Sequence, residues 1–303
     1  MIPRVAPTPA AQPGPTGLAR RRLLCLGAAL ACPGAARAAA EARLPALIPD
    51  DVLLDYQRFL AGRDPATVSD YGGAHARRDV AEAVLIQQAL LARPGPPMRL
   101  SLRPMPTSMR LQTELRTGHA ACGATTYWRE DFPEPEGLLF SDAVLADGEF
   151  EAGLYTTPGN ARALAARSLA DVRRLRVLSN RTWRVDWQTL ERLGITQLQH
   201  VASWNLMPRM LQQGRADVLL APFQPTPDLA LAADGVRLLP IPGLKIRMRG
   251  TRHFLVSAAH PSGPLLREQL DLGLARLRQQ GLVRRAYLQS GFFTPRVADW
   301  TAL

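Results

Sequence analysis

Lysine is almost missing from this chain: Lys245 is the single one among 37 basic residues, and the rest are arginine. The arginines are scattered. Without a block of like charge or a basic stripe interleaved with aromatics, the usual footprint of nucleic-acid binding is excluded. Cysteine is nearly as scarce, with Cys25, Cys32 and Cys122 in 303 residues. No apolar run approaches the ~20 residues that a membrane span needs. Catalytic signatures are missing too. The five histidines (75, 119, 200, 253, 260) form no HxxxH pair and no cluster with cysteine, so metal-ligand spacing is lacking. GxSxG, P-loop and GxGxxG patterns do not occur. The expectation is therefore no enzyme, no metal and no cofactor.

What is present begins with a leader. Residues 1–18 are rich in Pro, Ala and Gly, followed by Arg20-Arg21-Arg22, a short apolar run from Leu23 to Ala31, and Ala36-Arg37-Ala38. That order reads as an export signal cleaved after Ala38. Its arginines also fit a loose twin-arginine pattern. Residues 1–38 hold five Arg and no acid, so removing them lowers the net charge from +11 to +6. Cys25 and Cys32 leave with the signal. Cys122 then stands alone in "HAACGATTYW", without an intrachain disulfide partner, and reads as a buried small hydrophobe.

The remaining residues alternate between helical and extended patterns. Residues 50–61 and 77–92 read as helices, the second ended by Pro94-Gly95-Pro96-Pro97. "MRLSLR" (98–103) reads as a strand broken by Pro104 and Pro106, and "TSMRLQTELRTG" as a helix capped by Thr or Ser and stopped at Gly118. "HAACGATTYW" is a buried strand. The second half repeats the order: "ITQLQHV" a strand, "SWNLMPRMLQQG" a helix capped by Ser203 and stopped at Gly214, "ADVLLAPF" a buried strand. "ELRTGHAACGATTYW" and "MLQQGRADVLLAPF" align on Gly118 and Gly214. A glycine that ends a helix in the left-handed conformation and feeds an apolar central strand is the signature of an α/β unit. Two such units predict two α/β lobes. Asp217, just past the second glycine, is expected to bond backbone or Arg215. The acid pairs Asp50-Asp51 and Glu130-Asp131 read as solvated turns, and His253 as a core or hinge histidine.

These stretches resemble the type II periplasmic solute-binding proteins of ABC transporters, in the branch that includes amino-acid-binding proteins. "SMRLQTELRTGHA", "LLFSDAVL", "RVLSNRTWRVDWQTLERLG", "MLQQGRADVLLAPF" and the stretch from His253 to Phe293 carry the likeness, over roughly residues 77–295. Two departures stand out. Ala143 occupies the family's Pro position in "SDAV", and residues 42–76 show no counterpart of the family's first strand.

The resemblance implies an α/β, two-lobed, type II periplasmic-binding-protein-like fold. Each lobe is a mainly parallel sheet flanked by helices, with a ligand cleft between them. The expected division is 1–38 signal, 39–150 first lobe, 151–245 second lobe and 246–303 returning to the first lobe. In such a fold the ligand sits at strand ends and helix N-termini. That places Ser108, Arg110, Thr125, Trp128 and Arg129 on one side, and Asn180, Arg181, Trp183, Trp204 and Asn205 on the other. Arg110 or Arg129 would pair a carboxylate and the tryptophans would form walls. The implied protein is a periplasmic monomer that captures a small anionic or zwitterionic ligand, with an ABC transporter permease as partner and no transmembrane segment in the mature chain. A member of the same fold outside transport, such as a sensor or accessory protein with a degenerate pocket, is the alternative; an enzyme on the scaffold is a third reading.

Overall fold

In a computed structural model that describes residues 43–92 and 97–303, the chain builds two sheets. Strand β1 (Arg43–Pro49) runs straight into α1 (Asp50–Leu60); α2 (Arg78–Ala92), β2 (Arg99–Met105), α3 (Ser108–Arg116), β3 (Cys122–Trp128) and β4 (Leu138–Phe140) follow. Next come β5 (Glu151–Thr156), the short helices α4 (Ala161–Leu164) and α5 (Leu169–Val172), then β6 (Val177–Ser179), α6 (Arg184–Arg192), β7 (Leu198–His200), α7 (Met207–Gln212) and β8 (Val218–Pro222). Strands β9 (Leu231–Ala233), β10 (Val236–Pro240), β11 (Leu244–Arg247) and β12 (Arg252–Ser257), helices α8 (Gly263–Gln279) and α9 (Leu282–Gln289), and β13 (Thr301–Ala302) complete it. The expected export signal and its cleavage point lie outside the described residues.

Both sheets share one plan. The first has the order β2-β1-β3-β12-β4, with β1 parallel to β2 and β3, and β12 antiparallel to β3 and β4. The second contains β7-β6-β8-β5-β11-β13, with β6 parallel to β7 and β8, and β5 antiparallel to β8. Three parallel strands in the order second-first-third are thus followed in each sheet by an antiparallel one. The chain crosses between sheets over residues 141–150, 248–251 and 290–300, and the last crossing brings β13 onto β11 of the second sheet.

The repeated helix-glycine-strand unit is the same in both halves. Gly118 and Gly214 sit at φ 78° and 67°, left-handed values that let α3 and α7 stop and β3 and β8 begin at once. Of the two strands, β3 is buried almost throughout, as a central strand covered on both faces must be. The acid after Gly214 anchors the turn through backbone, as expected, and through the side chain of Arg176 rather than Arg215. Asp217 accepts from the backbone N–H of Arg176 at 2.8 Å and from its guanidinium at 3.1 and 3.2 Å, while Arg176 reaches the carbonyls of Gly214 and Arg215.

A first strand does exist within residues 42–76. Pro45 and Pro49 hide it, because proline rarely occupies a central strand. Here β3 pairs with β1 only at Ala46 and Leu47, so position 45 need supply only its carbonyl, which accepts from Ala121 N–H at 2.7 Å. Pro104 does not break β2 either: the strand continues to Met105, on the sheet edge where proline removes no ladder bond. Ser203 makes no side-chain cap, and the "SWNLMPRMLQQG" helix starts as a 3-10 turn before α7. Across the first sheet lies α2, buried over most of its length, with α8 against it. Gly273 lets those helices touch, since a Cβ there would fall 1.9 Å from the Ala89 carbonyl oxygen.

Candidate functional site

A charged cluster joins the two lobes, and it begins with the first turn of α2. Arg78 donates to Asp79 at 2.6 Å and to Glu82 at 3.2 Å. Its guanidinium lies 5.4 Å from the Phe150 ring and 5.8 Å from the Phe292 ring, and its Nε is buried without a hydrogen-bond partner. Glu82 is fully buried and saturated: besides Arg78 it accepts from Thr126 N–H at 2.8 Å, Thr126 Oγ1 at 2.7 Å and the Tyr287 hydroxyl at 3.2 Å.

Arg252, at the start of β12, is the second cation. It donates to Thr126 Oγ1 at 3.0 Å and to the Thr126 carbonyl, and stacks 4.8 Å from Trp128 and 5.5 Å from Phe150. Burial, reinforced by the neighbouring Arg78, lowers its pKa from the ordinary arginine value. Burial pushes the Asp79 carboxyl up, but Arg78, Arg77 and Arg252 together outweigh that and hold it below the usual carboxylate range.

The second lobe contributes the start of α6. Asp186 faces Arg252, Arg78 and Trp128, each of which favours its charged form; burial still wins and its pKa is raised. Asp131, in the turn after β3, reaches the other way and accepts from Val185 N–H at 3.1 Å, at the amino end of α6. Burial first, then the nearby Asp186, pushes Asp131 up to about 7, against the opposing pull of the α6 N–H groups and Arg252. The solvated turn expected at Glu130-Asp131 is therefore half right. Glu130 is exposed and holds the Thr251 N–H at 3.3 Å, while Asp131 is drawn under the second lobe because a helix amino end is a strong anion site.

The candidate residues fall into separate places. Trp128 lies at the centre of the cluster, whereas Thr125, buried in β3, is on the opposite face of the strand with Tyr127. Arg129 points to the other face of the first sheet, where it covers the Phe140 ring at 4.6 Å and donates to the Phe132 carbonyl. The alternation of β3 decides this, since Trp128 and its neighbour must take opposite faces. Ser108 opens α3, and Arg110, one turn in, is exposed. In the second lobe Asn180 is buried and bonds within its own loops, to Ala202 O at 2.9 Å and to Thr182 N–H at 2.9 Å. Arg181 is exposed, 5.1 Å from the Trp187 ring. Trp183 and Trp204 pack on each other at 6.3 Å, half-buried, with Asn205 exposed beside them.

Sequence reading missed Arg78, Asp79, Glu82, Asp131, Asp186 and Arg252. One signal was available: Glu82 interrupts an otherwise apolar helix face. His253, expected as a core or hinge histidine, is half-buried and held between Ser141 O at 2.7 Å and Thr251 Oγ1 at 2.8 Å, beside two of the crossings. A surface groove of about 430 Å³ between β4 and the start of α8 lies away from this cluster.

Solved structures share this architecture. An amino acid ABC transporter substrate-binding protein from Streptococcus pneumoniae, bound to L-arginine, matches with a TM-score of 0.53 at 14% identity, over 83% of this chain and 95% of that one. The chain has the type II periplasmic-binding fold. The ancestral amino-acid-binding protein AncCDT-1, a precursor of cyclohexadienyl dehydratase, matches with a TM-score of 0.51 at 14% identity, over 82% of this chain and 95% of that one. The probable amino-acid ABC transporter extracellular-binding protein ytmK from Bacillus subtilis gives 0.51 at 13% identity, over 83% and 99%. No family model matches the sequence, and no curated protein does. Among the described residues no helix is long and apolar enough to cross a membrane.

Proposed function

We propose that this chain is an exported solute-binding protein that closes its two lobes on a small zwitterionic ligand of the amino-acid class. The observation that carries the reading is the charge arrangement of the cleft. Arg78 and Arg252, the latter stacked on Trp128, come from one lobe; Asp186 and the amino end of α6 come from the other. Guanidinium groups suit a ligand carboxylate, and a buried carboxylate whose pKa is raised gains from an ammonium neighbour. A purely anionic ligand is disfavoured, because the four acids Asp79, Glu82, Asp131 and Asp186 already outnumber the arginines that face them, Arg77, Arg78 and Arg252. The solved relatives, named as amino-acid-binding and as ABC transporter proteins, support this class of ligand, a periplasmic location and an ABC permease as partner.

Thermal unfolding against amino acids, dicarboxylates and sugars tests it. A ligand at ~100 times its dissociation constant adds about 2.7 kcal/mol, a shift of several degrees for a chain of this size. The shift should come from amino acids and not from sugars, and it should vanish in Arg252→Lys, which loses the planar stack on Trp128. A broad panel without any shift would favour the second reading, a sensor or accessory protein of the same fold. What motivates that alternative is that a protein contact, Val185 N–H to Asp131, already joins the two lobes.

A further inference from the structure

The groove beside β4 combines a free strand edge, an apolar trough and a rim of unpaired carboxylates. We propose that it takes an extended, basic-apolar segment of a partner protein, which adds to β4 as one more strand of the first sheet.

Strand β4 closes that sheet on one side, and among the described residues no strand pairs with its outer edge. The alternation of an antiparallel ladder fixes which backbone groups are left over. Ala258 N–H donates to Gly137 O and Ser141 N–H to Phe254 O, each at 3.0 Å, so residues 137 and 141 face β12. Leu139, between them, pairs with Val256. Leu138 and Phe140 therefore turn their backbone outward. The Leu138 N–H is taken by a turn, to Pro135 O at 2.8 Å. An incoming strand meets the Leu138 carbonyl and both backbone groups of Phe140. The opposite edge of the sheet is guarded: β2 carries Arg99, Arg103 and Pro104, whereas β4 is Leu-Leu-Phe.

The trough measures about 430 Å³, with Pro135, Leu139 and Phe140 on one wall and Pro264 of α8 on the other. Backbone bonds to a three-residue strand are few. Alternate side chains of the added segment, seated in the trough, must supply the rest of the affinity.

Charge selects the occupant. Glu134 and Glu136 flank Pro135, and Glu268 lines the α8 wall; all three are exposed, and among the described residues none is ion-paired. The nearby arginines are already engaged. Arg267 is held by Asp271 at 3.3 Å, Arg116 by the Glu134 and Glu136 carbonyls, and Arg129 by the Phe132 carbonyl and the Phe140 ring. What an incoming segment finds unpaired is therefore negative, which attracts a basic sequence and repels an acidic one.

The probe is a fluorescein-labelled heptapeptide, Leu-Arg-Leu-Arg-Leu-Arg-Leu, titrated into the full chain and read by anisotropy. It should bind, less tightly as salt rises. Its counterpart with Glu in place of each Arg should not bind. Nor should a copy N-methylated at alternate residues, which keeps the side chains and loses strand pairing. Hydrogen exchange should slow at residues 138–140. Leu139→Arg puts a cation in the trough and should abolish binding. Glu134→Gln, Glu136→Gln and Glu268→Gln together should weaken it by about tenfold; these surface changes carry the test should Leu139→Arg fail to fold. No binding up to about 1 mM peptide, equal binding of the acidic or N-methylated peptide, or protection on α2 or α6 instead of residues 138–140 overturns the proposal. So does a peptide-free chain that dimerises in sedimentation and is split by Leu139→Arg, since the occupant is then a second copy. Because no solute is added, failure here leaves the ligand-binding reading to its own test.

Discussion

Glu82 is the residue on which the buried charged cluster depends. It is completely buried and accepts from Thr126, Tyr287 and Arg78, so it ties α2 to β3 and α9 at one point. Truncation would leave the Thr126 N–H and the Tyr287 hydroxyl without an acceptor, and Arg78 with one partner fewer. Removing one member of a buried charged network costs about 3–5 kcal/mol. Glu82→Ala should therefore lose that much in equilibrium urea unfolding. A loss under about 1 kcal/mol would mean that solvent enters and satisfies the orphaned groups. Cys122 carries no such burden. It is free, buried, and its thiol is pushed up to about 12 by burial, as an inert core residue should be.

The helix-glycine-strand unit, used twice, allows a comparison at the level of the element. Alanine at Gly118 or Gly214 must adopt a left-handed backbone, which costs about 1–2 kcal/mol in each case. The surroundings differ. A Cβ at Gly214 meets nothing within 4 Å, whereas at Gly118 it would stand 3.0 Å from the backbone of Ala259. Overpacking against backbone adds about 1–3 kcal/mol. Gly118→Ala should thus be the more destabilised of the two in urea midpoint, by about 1 kcal/mol or more. Equal losses would show that the loop at Ala259 yields freely.

At the scale of the molecule, the third crossing makes the hinge more than a pair of strands. The C-terminal segment returns from α9 through Phe292 and Phe293 to β13, where Thr301 N–H bonds Gly243 O and Leu303 N–H bonds Lys245 O, both at 2.9 Å. The single lysine pins it. Lys245 Nζ, buried, donates to Val297 O at 2.8 Å, Ala298 O at 3.2 Å and Glu151 at 3.1 Å. Lys245→Met keeps the length of the side chain and removes every donor. It should cost about 1.5–3 kcal/mol for the charge-assisted bonds lost to Glu151 and the tail and expose residues 290–300 to limited proteolysis. An unchanged cleavage pattern would assign the docking of the tail to Trp300, which packs edge-on against Phe223 at 5.5 Å.

Periodicity alone carried much of this architecture. The apolar faces of α1, α2 and α8, the buried run of β3 and the glycine stops at 118 and 214 are local patterns, and local patterns survive in a linear sequence. So did the likeness of the two halves, and with it the two-lobed α/β plan. Strand β1 was hidden because its prolines argue against a central strand, and only the short overlap with β3 makes them harmless. The charged cluster was illegible for a stronger reason. Arg78, Trp128, Asp131, Asp186 and Arg252 come from four distant segments, and their meaning lies in mutual distance. Arg129 and Asp131 are two residues apart and equally polar in the sequence. The packing of the two lobes sends one onto Phe140 and the other onto the amino end of α6. Sequence decided which residues could be buried; tertiary structure decided which charges had to be buried together, because electrostatic energy depends on spatial separation and solvent access rather than on order along the chain.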